Sequence, residues 1–339
     1  MGSVKDLKVI KEPQEKELGV GQFIFSDRYS VFDWGEMPDH IVDKGKAICI
    51  ATAYFFECLE KSGIKTHYIG VVEGGKTKRL DELNEPQNIL QVKLVRVVTP
   101  KIDGDSYDYS IFKQQRGNFL IPLEVIYRNS LPSGSSVFKR LKQGSLKWQD
   151  LGLKEEPKPG QILEKPILDV STKLEVTDRY ITWEEAKQIC SLEDMELDEI
   201  KKVTLFIDDL ITKEARRIGL YNEDGKVEFG FDEQRNLMLV DALGTLDECR
   251  FTYEGLPVSK EIARIYYRNT DWYKDVEKAK AKDRVNWKSL VKSTPPNLPE
   301  ELALSISLLY KAYANELTKR KWFDTPSLKE ILSQIKNLM

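Results

Sequence analysis

The chain has 339 residues, 41% of them hydrophobic and 32% charged, which suits one elaborate globular unit or two and excludes a disordered or fibrous polypeptide. Its 52 basic and 55 acidic side chains are interspersed and leave a net charge of −3, so no broad field of one sign is present to attract nucleic acid. Four cysteines without metal-binding spacing, two histidines, no apolar leader and no apolar run of membrane-helix length argue against a zinc site, secretion and a membrane span, and place the protein in the cytosol.

In chain order, Lys8-Val9-Ile10 and Gln22-Phe23-Ile24-Phe25 read as two strands. The polar turn between them, Lys11 to Gly21, is either a plain hairpin or a phosphate-facing loop in which Lys11 or Lys16 adds charge. Ser26 to Asp33 crowds Asp27, Arg28, Ser30 and Asp33 into a strand exit, the pattern of a functional loop or of a tight turn. A buried helix follows from Ala47 to Ser62, ended by Gly63, and then a strand from Lys65 to Val72 in which His67 reads as a satisfied core residue. Ile89 to Val98 and Ile121 to Asn129 are further strands, with a surface insertion or hairpin tip between Pro100 and Asn118. Arg128 ends an apolar strand beside Gly134-Ser135, a pairing that grips a phosphate or merely sits at the surface. Residues 154–166, with three prolines, read as a loop. The strongest helix runs from about Leu197 to Ile218 with an apolar stripe on one face. Beyond Arg250 the chain turns mainly helical, and its tryptophans read as packing anchors rather than a base-stacking platform.

The stretch with most chemistry is Asp224-Gly225-Lys226-Val227-Glu228-Phe229-Gly230 and the apolar return Leu237-Met238-Leu239-Val240 into Asp241. Strand alternation puts Asp224, Lys226 and Glu228 on one face and Val227 and Phe229 on the other. A four-residue turn, Glu233 to Asn236, sets Glu228 directly opposite Asp241, and two facing carboxylates repel unless a cation lies between them. The hairpin therefore reads as the floor of a magnesium site, with Lys226 and Arg250 close by for phosphate or carboxylate. A turn longer by one residue would send Asp241 to the other face, and alternating charges also suit an ordinary exposed hairpin.

Taken together, several segments resemble one family. Ser26-Asp27-Arg28-Tyr29-Ser30-Val31-Phe32-Asp33, Lys44-Gly45, Gly63 to His67, Pro122 to Asn129, Gly134-Ser135, Ser171 to Glu175, Asp224 to Gly230 and Asp241 through Asp247 to Arg250 occur, over residues 20–255, in the order found in phosphoribosylaminoimidazole-succinocarboxamide synthases, the SAICAR synthetases. The resemblance implies an α+β, ATP-grasp-like, two-lobed fold: a smaller β-rich nucleotide-binding lobe over 1–120, a larger α+β catalytic lobe over 121–270, and a helical C-terminal extension over 271–339 packed on the core. It implies ligation of L-aspartate to the carboxylate of carboxyaminoimidazole ribonucleotide, with ATP converted to ADP and phosphate through an acyl phosphate and Mg2+ required.

The roles it implies are these. Glu228 and Asp241 hold the metal, and Lys226, Lys173 and Asp178 join them in catalysis. Arg128, Ser135 and Arg250 take the ribonucleotide phosphate, Asp247 the ribose or imidazole side, and Ser30 and Asp33 belong to the substrate site. Lys11, Lys16, Lys93 and Glu124 lie towards the nucleotide, the last two near adenine. The implied partners are small molecules, with no nucleic acid and no membrane; oligomeric state, a homodimer included, stays open. The chain departs from the family where Asp241 is followed by Ala242 instead of Glu, where Leu246-Asp247 replaces Pro-Asp, and where Lys11 to Gly21 matches the glycine-rich turn poorly. Those departures keep two alternatives in view, a non-catalytic nucleotide-binding paralogue and a ligase for another carboxylate. The insertion 99–120 and the tail 271–339 carry no role.

Overall fold

The computed structural model describes residues 4–104, 106–283 and 286–338. It is a mixed α/β fold built on antiparallel sheets. The first half holds β1 (Lys5–Lys11), β2 (Gly19–Phe25), α1 (Lys44–Lys61), β3 (Tyr68–Glu73), β4 (Lys76–Lys78), β5 (Ile89–Leu94) and the small hairpin β6 (Lys101–Asp103) and β7 (Ser106–Asp108). It continues through β8 (Phe119–Leu131), α2 (Ser136–Lys142), β9 (Gln161–Thr172), α3 (Trp183–Cys190), α4 (Asp194–Arg217), β10 (Tyr221–Phe231) and β11 (Leu237–Val240). Last come β12 (Cys249–Tyr253), β13 (Leu256–Pro257), α5 (Glu261–Arg268), α6 (Asp271–Lys282), α7 (Glu300–Thr318) and α8 (Leu328–Leu338).

The first sheet runs β1-β2-β5-β3-β4 and the second β13-β12-β10-β8-β9, with β11 paired to the far half of β10. The sheets are stitched together at β11: the Leu239 amide donates to the Lys65 carbonyl (3.0 Å), the His67 amide to the Leu239 carbonyl (2.9 Å), and the Lys93 amide to the His67 carbonyl (2.7 Å). One hydrogen-bonded path therefore runs from the N-terminal sheet into the strand that carries Lys226 and Glu228.

Both principal helices follow their apolar pattern. α1 buries Ile48, Ile50, Phe55, Phe56 and Leu59, and α4 buries Leu197, Ile200, Val203, Ile207 and Ile211 against β10 and β8. α1 starts three residues earlier than its apolar run because Asp27 receives the Gly45 amide (3.0 Å) and the Asp43 amide (3.1 Å).

Two expectations fail for physical reasons. Residues 161–166 are not loop but the first part of β9. Pro166 is tolerated because β9 is an edge strand, and the pairing skips from Arg128–Ile167 to Ser130–Ile162, so no partner needs the missing N–H. The β10–β11 turn has five residues, with Phe231 opposite Leu237 and Glu228 opposite Val240. Asp232 forces that length: its carboxylate accepts the amides of Gln234 (3.0 Å) and Asn236 (2.8 Å), and Arg235 takes a left-handed backbone with φ 63°.

Other ties fix outlying pieces. The buried Asn118 amide donates to the carbonyls of Gln14 and Glu17 (2.7 Å to the latter), fastening the tip of the β1–β2 hairpin to the start of β8. α7 lies along α1. Cys49, Cys190 and Cys249 are buried free thiols and Cys58 a half-buried one. Among the described residues no helix is long and apolar enough to cross a membrane.

Gly225 sits on β10 opposite Tyr127, and a Cβ there would overlap the Tyr127 ring, itself fully buried and unable to move aside. Gly225→Ala should therefore lower unfolding free energy by roughly 1–3 kcal/mol, the range for overpacking a dense core. Equilibrium urea denaturation measures it, and an unchanged midpoint would show that Tyr127 yields.

Candidate active site

The charged face of β10 is continued sideways by its neighbours. Glu228 stands across from Glu124 of β8, and Lys173, directly after β9, reaches both, at 3.3 Å from Glu124 and in close contact with Glu228. Lys226 donates to Glu124 (2.8 Å) and lies 3.6 Å from Glu248. Asp241 reaches the same place by an unexpected route. It follows β11 rather than ending it, and a left-handed backbone (φ 68°), which aspartate tolerates, turns the chain so that its carboxylate meets Lys5 and Glu228. The facing-pair register read from the sequence is thus wrong, while the pairing of the two acids holds.

Charge explains how this cluster is balanced. Three ammonium groups, Lys5, Lys173 and Lys226, pair with four carboxylates, Glu124, Glu228, Asp241 and Glu248, so the direct pairs carry one negative charge in excess only when all four acids are ionised. Burial and the neighbouring Asp241 charge push the Glu228 carboxyl above its ordinary range against the pull of Lys173 and Lys226. Burial acts the same way on Asp241, but Lys5 and Lys173 outweigh it and hold that carboxyl low. In Glu124 too, Lys226 and Lys173 overcome burial and lower the carboxyl. Glu228 is therefore the acid that keeps a proton when no further cation is near. Among the described residues no group of three or more His, Cys, Asp or Glu side chains is placed to enclose a metal; the two acids in mutual contact are Glu228 and Asp241.

At the other end of β10 the sign reverses. Arg250 forks onto Asp224, with Nε 2.7 Å from Oδ1, and Asp224 Oδ2 lies 3.4 Å from Arg128. Arg128 is 3.1 Å from Asp169, which Arg140 grips with two nitrogens while stacking at 3.9 Å on the Tyr180 ring. Among the direct ion pairs three guanidiniums meet two carboxylates, Glu223 and Glu261 also lie in the field of Arg250, and the Nε atoms of Arg128 and Arg140 have no hydrogen-bond partner. Four residues of strand separate Asp224 from Glu228, about 13 Å. One strand thus presents an anion-seeking end and a cation-seeking end.

The segment 241–248, which joins these ends, has no regular structure. Lys44, 1% exposed, donates to Asp247 (2.7 Å), whose other oxygen accepts from Tyr310 (2.6 Å), so Asp247 faces inward as a clamp rather than standing free for a ligand. Its carboxyl is lowered because Lys44 and Lys260 outweigh burial.

The other expected residues divide. Lys173, Lys226, Glu228 and Asp241 are brought together, and Glu124 joins them as a counter-ion of Lys173 and Lys226. Asp178 is exposed after β9, within the field of Glu124, Lys173 and Asp33; partial burial and Glu124 raise its carboxyl. Asp33 is exposed and 3.4 Å from Lys280, and Ser30 lies half-buried three residues before it. Lys93 lies near enough to His67 to oppose its protonation. Ser135 caps α2 by accepting the Val137 amide (3.4 Å), and its neighbour Ser136 is the one that meets Arg128 (3.2 Å). Lys11 is not in the cluster: it pairs with Glu17 at the exposed end of β1, six residues and about 20 Å from Lys5, and Lys16 is exposed on the same turn. The lysine at the site is Lys5, which sequence reading passed over because a single charge ahead of an apolar strand has no pattern. Glu248, Asp169 and Arg140 were missed likewise; the two acids became visible only through strand neighbours.

The family description "SAICAR synthetase" matches residues 10–280. A relative from Archaeoglobus fulgidus, named a putative phosphoribosylaminoimidazole-succinocarboxamide synthase, is 54% identical over 339 residues, covering 100% of both chains. Among solved structures, the Saccharomyces cerevisiae SAICAR synthase complexed with SAICAR superposes with a TM-score of 0.64 at 22% identity, covering 96% of this chain and 95% of that one. A SAICAR synthetase in complex with ADP gives 0.56 at 22% identity, covering 88% and 99%.

Behind the acid cluster, His67 is 2% exposed with Nε2 3.2 Å from the Asp241 carbonyl. Burial lowers its pKa from 6.5 to about 4, more than Asp241 can restore. The unfolded chain binds the proton first, so stability should rise with pH from about 4 to 6.5 and fall as pH drops through that window, by up to about 3 kcal/mol. His67→Gln, which keeps a donor, should lose less stability than the parent between pH 7 and pH 4 in paired urea titrations. Equal losses would mean that His67 is not the titrating group.

Proposed function

The chain belongs to the SAICAR synthetase family, and from that premise we propose how its sheet face serves the ligation. It is an enzyme of purine biosynthesis, a carbon–nitrogen ligase that joins L-aspartate to the carboxylate of carboxyaminoimidazole ribonucleotide with ATP consumption. The fold is read as ATP-grasp-like, with a β-rich nucleotide lobe over 1–120, a catalytic lobe over 121–270, and 271–339 as an extension on the core, working in the cytoplasm. A non-catalytic paralogue is not favoured, since identity to the archaeal relative runs the full length of both chains.

The single observation that carries the site reading is the opposite polarity of the two ends of β10. The acceptor ribonucleotide bears its phosphate at one end and its carboxylate at the other. Arg250 in front, with Arg128 behind Asp224 and Ser135–Ser136 beside it, would hold the phosphate through charge-assisted hydrogen bonds. That directs the carboxylate along β10 towards Lys226 and Lys173.

There the γ-phosphoryl group passes from ATP to a carboxylate oxygen, ADP leaves, and the resulting acyl phosphate gives the carbonyl carbon a good leaving group. The aspartate amine attacks that carbon, phosphate departs with the bonding pair, and the amine loses a proton. Lys173 and Lys226 would compensate the charge gathered where phosphate meets carboxylate; both ammonium groups are kept protonated, because their acidic neighbours outweigh burial. Asp178, with its raised carboxyl pKa, is the group offered for the amine proton. Lys5, whose charge Asp241 sustains, takes the phosphate-facing role that Lys11 and Lys16 were expected to fill.

The donor set also fits magnesium. A buried carboxylate, Glu228, beside a half-buried one, Asp241, forms a hard-oxygen site, and magnesium is usually held by one or two carboxylates plus substrate phosphates. Glu228 and Asp241 would hold the ion, which when bound supplies charge neutralisation at the phosphates.

Purified protein given ATP, aspartate and the ribonucleotide should release ADP only when all three are present; release that ignores aspartate would contradict the ligase reading. Glu228→Gln should reduce turnover at least about 100-fold with the melting temperature preserved, because glutamine resembles the protonated acid already stable there. Lys5→Ala should impair the reaction at least about 10-fold, and Lys11→Ala should leave it within about twofold. Equal effects of the two lysine changes would return the phosphate loop to the hairpin tip.

A further inference from the structure

α7 lies beyond residue 280, outside the segment that the family description matches, yet its polar side chains point back at the site. On one side Ser307 Oγ donates to the Val42 carbonyl (2.7 Å) and Lys311 lies 3.1 Å from Asp43, anchoring the helix to the start of α1. On the other, the Tyr310 hydroxyl donates to Asp247 (2.6 Å) and the Tyr313 hydroxyl to the Gly244 carbonyl (2.6 Å). Both tyrosines are at most 3% exposed.

The target of those hydroxyls is the irregular segment 241–248, which has no strand or helix of its own to hold it. Its position is set by side chains. Thr245 Oγ1 accepts the Asp247 and Glu248 amides (3.2 Å each), and Lys44 and Tyr310 take the two oxygens of Asp247. Gly244 (φ 64°) is pressed so closely on Phe55 of α1 that no side chain fits there. Asp241 and Glu248 close the segment at the acid cluster, and Arg250 follows it into the arginine chain. Arg250 is held by its pairing with Asp224 and Val240 by its pairing with Glu228, so what the side chains of 244–247 set is the course of the segment that carries Asp241 and Glu248 between those two strand ends.

We infer that α7 is a working part of the site: Tyr310, acting through Asp247, is a positioning residue that sets the segment linking Asp241 to Arg250, with Tyr313 as its second tie. The kinetic part of this inference rests on the ligase reading above. The geometry assigns the tyrosines no contact with reacting atoms. A hydroxyl given to a buried carboxylate is a strong bond, and its loss leaves Lys44 as the side chain directly bonded to the Asp247 carboxylate, drawing it towards α1.

The test uses the full chain with Tyr310→Phe, which keeps the ring, and Ser307→Ala, which cuts an α7 bond that does not touch the segment. Tyr310→Phe is expected to raise KM for the ribonucleotide about 10-fold while KM for ATP stays within about twofold, and Ser307→Ala to leave both unchanged. Amide hydrogen exchange should quicken over 242–248 in Tyr310→Phe and not in Ser307→Ala. Unchanged ribonucleotide KM in Tyr310→Phe, or an equal rise in Ser307→Ala, overturns the inference, since the first denies the coupling and the second makes it a general loosening of the helix. Should the parent enzyme itself show no aspartate-dependent ADP release, the ligase reading falls, and exchange over 242–248 still decides the positioning role. Faster exchange confined to the segment supports it, and unchanged exchange sinks it.

Discussion

Two carboxylates that approach one another out of water must either share a proton or be offered positive charge, and the architecture is arranged around that requirement at Glu228 and Asp241. Lys5 comes from the first strand of one sheet, Lys173 from the end of an edge strand of the other, and Lys226 from the same strand as Glu228. Those lysines can meet only if the two sheets converge, and the backbone bonds between β11 and residues 65–67 bring them together. The stitched junction and the charge cluster are one construction: the first fixes where the strands lie, the second is what they carry.

The same strand solves a second electrostatic problem. A substrate anionic at both ends is repelled by a uniformly acidic surface and held without direction by a uniformly basic one. β10 avoids both by changing sign along its length, with a guanidinium excess at Asp224 and a carboxylate excess at Glu228. Each acid directly paired in the arginine chain lies between two arginines, so the groups stay preorganised with more guanidiniums than directly paired carboxylates.

How far the sequence foretold this differs by residue. Strand alternation was sufficient for Lys226 and Glu228, because period-two patterning and a buried opposite face leave one register for each side chain. It failed at Asp241, where the outcome depended on a turn length set by Asp232 and on a left-handed residue after the strand; both are local polar contacts without periodic signal. α1 and α4 were legible to within three residues because their apolar stripes are long. β9 was not, since three prolines nearby argue for a loop until one knows that the strand is an edge. Lys5, Glu248, Asp169 and Arg140 are near the site only through the pairing of distant strands, which a single chain of letters does not display. The tail went unassigned because Tyr310 and Tyr313 look like any buried aromatics until their hydroxyls are traced.

Asn118 has a bearing on how molecules come and go. Its amide pins the tip of the β1–β2 hairpin at the carbonyls of Gln14 and Glu17, and Lys5 pins the other end over Asp241. A ribbon fastened at both extremities cannot swing like a hinged flap. Whatever enters beside it meets a hairpin whose distance from the acid cluster is set in advance rather than adjusted on arrival.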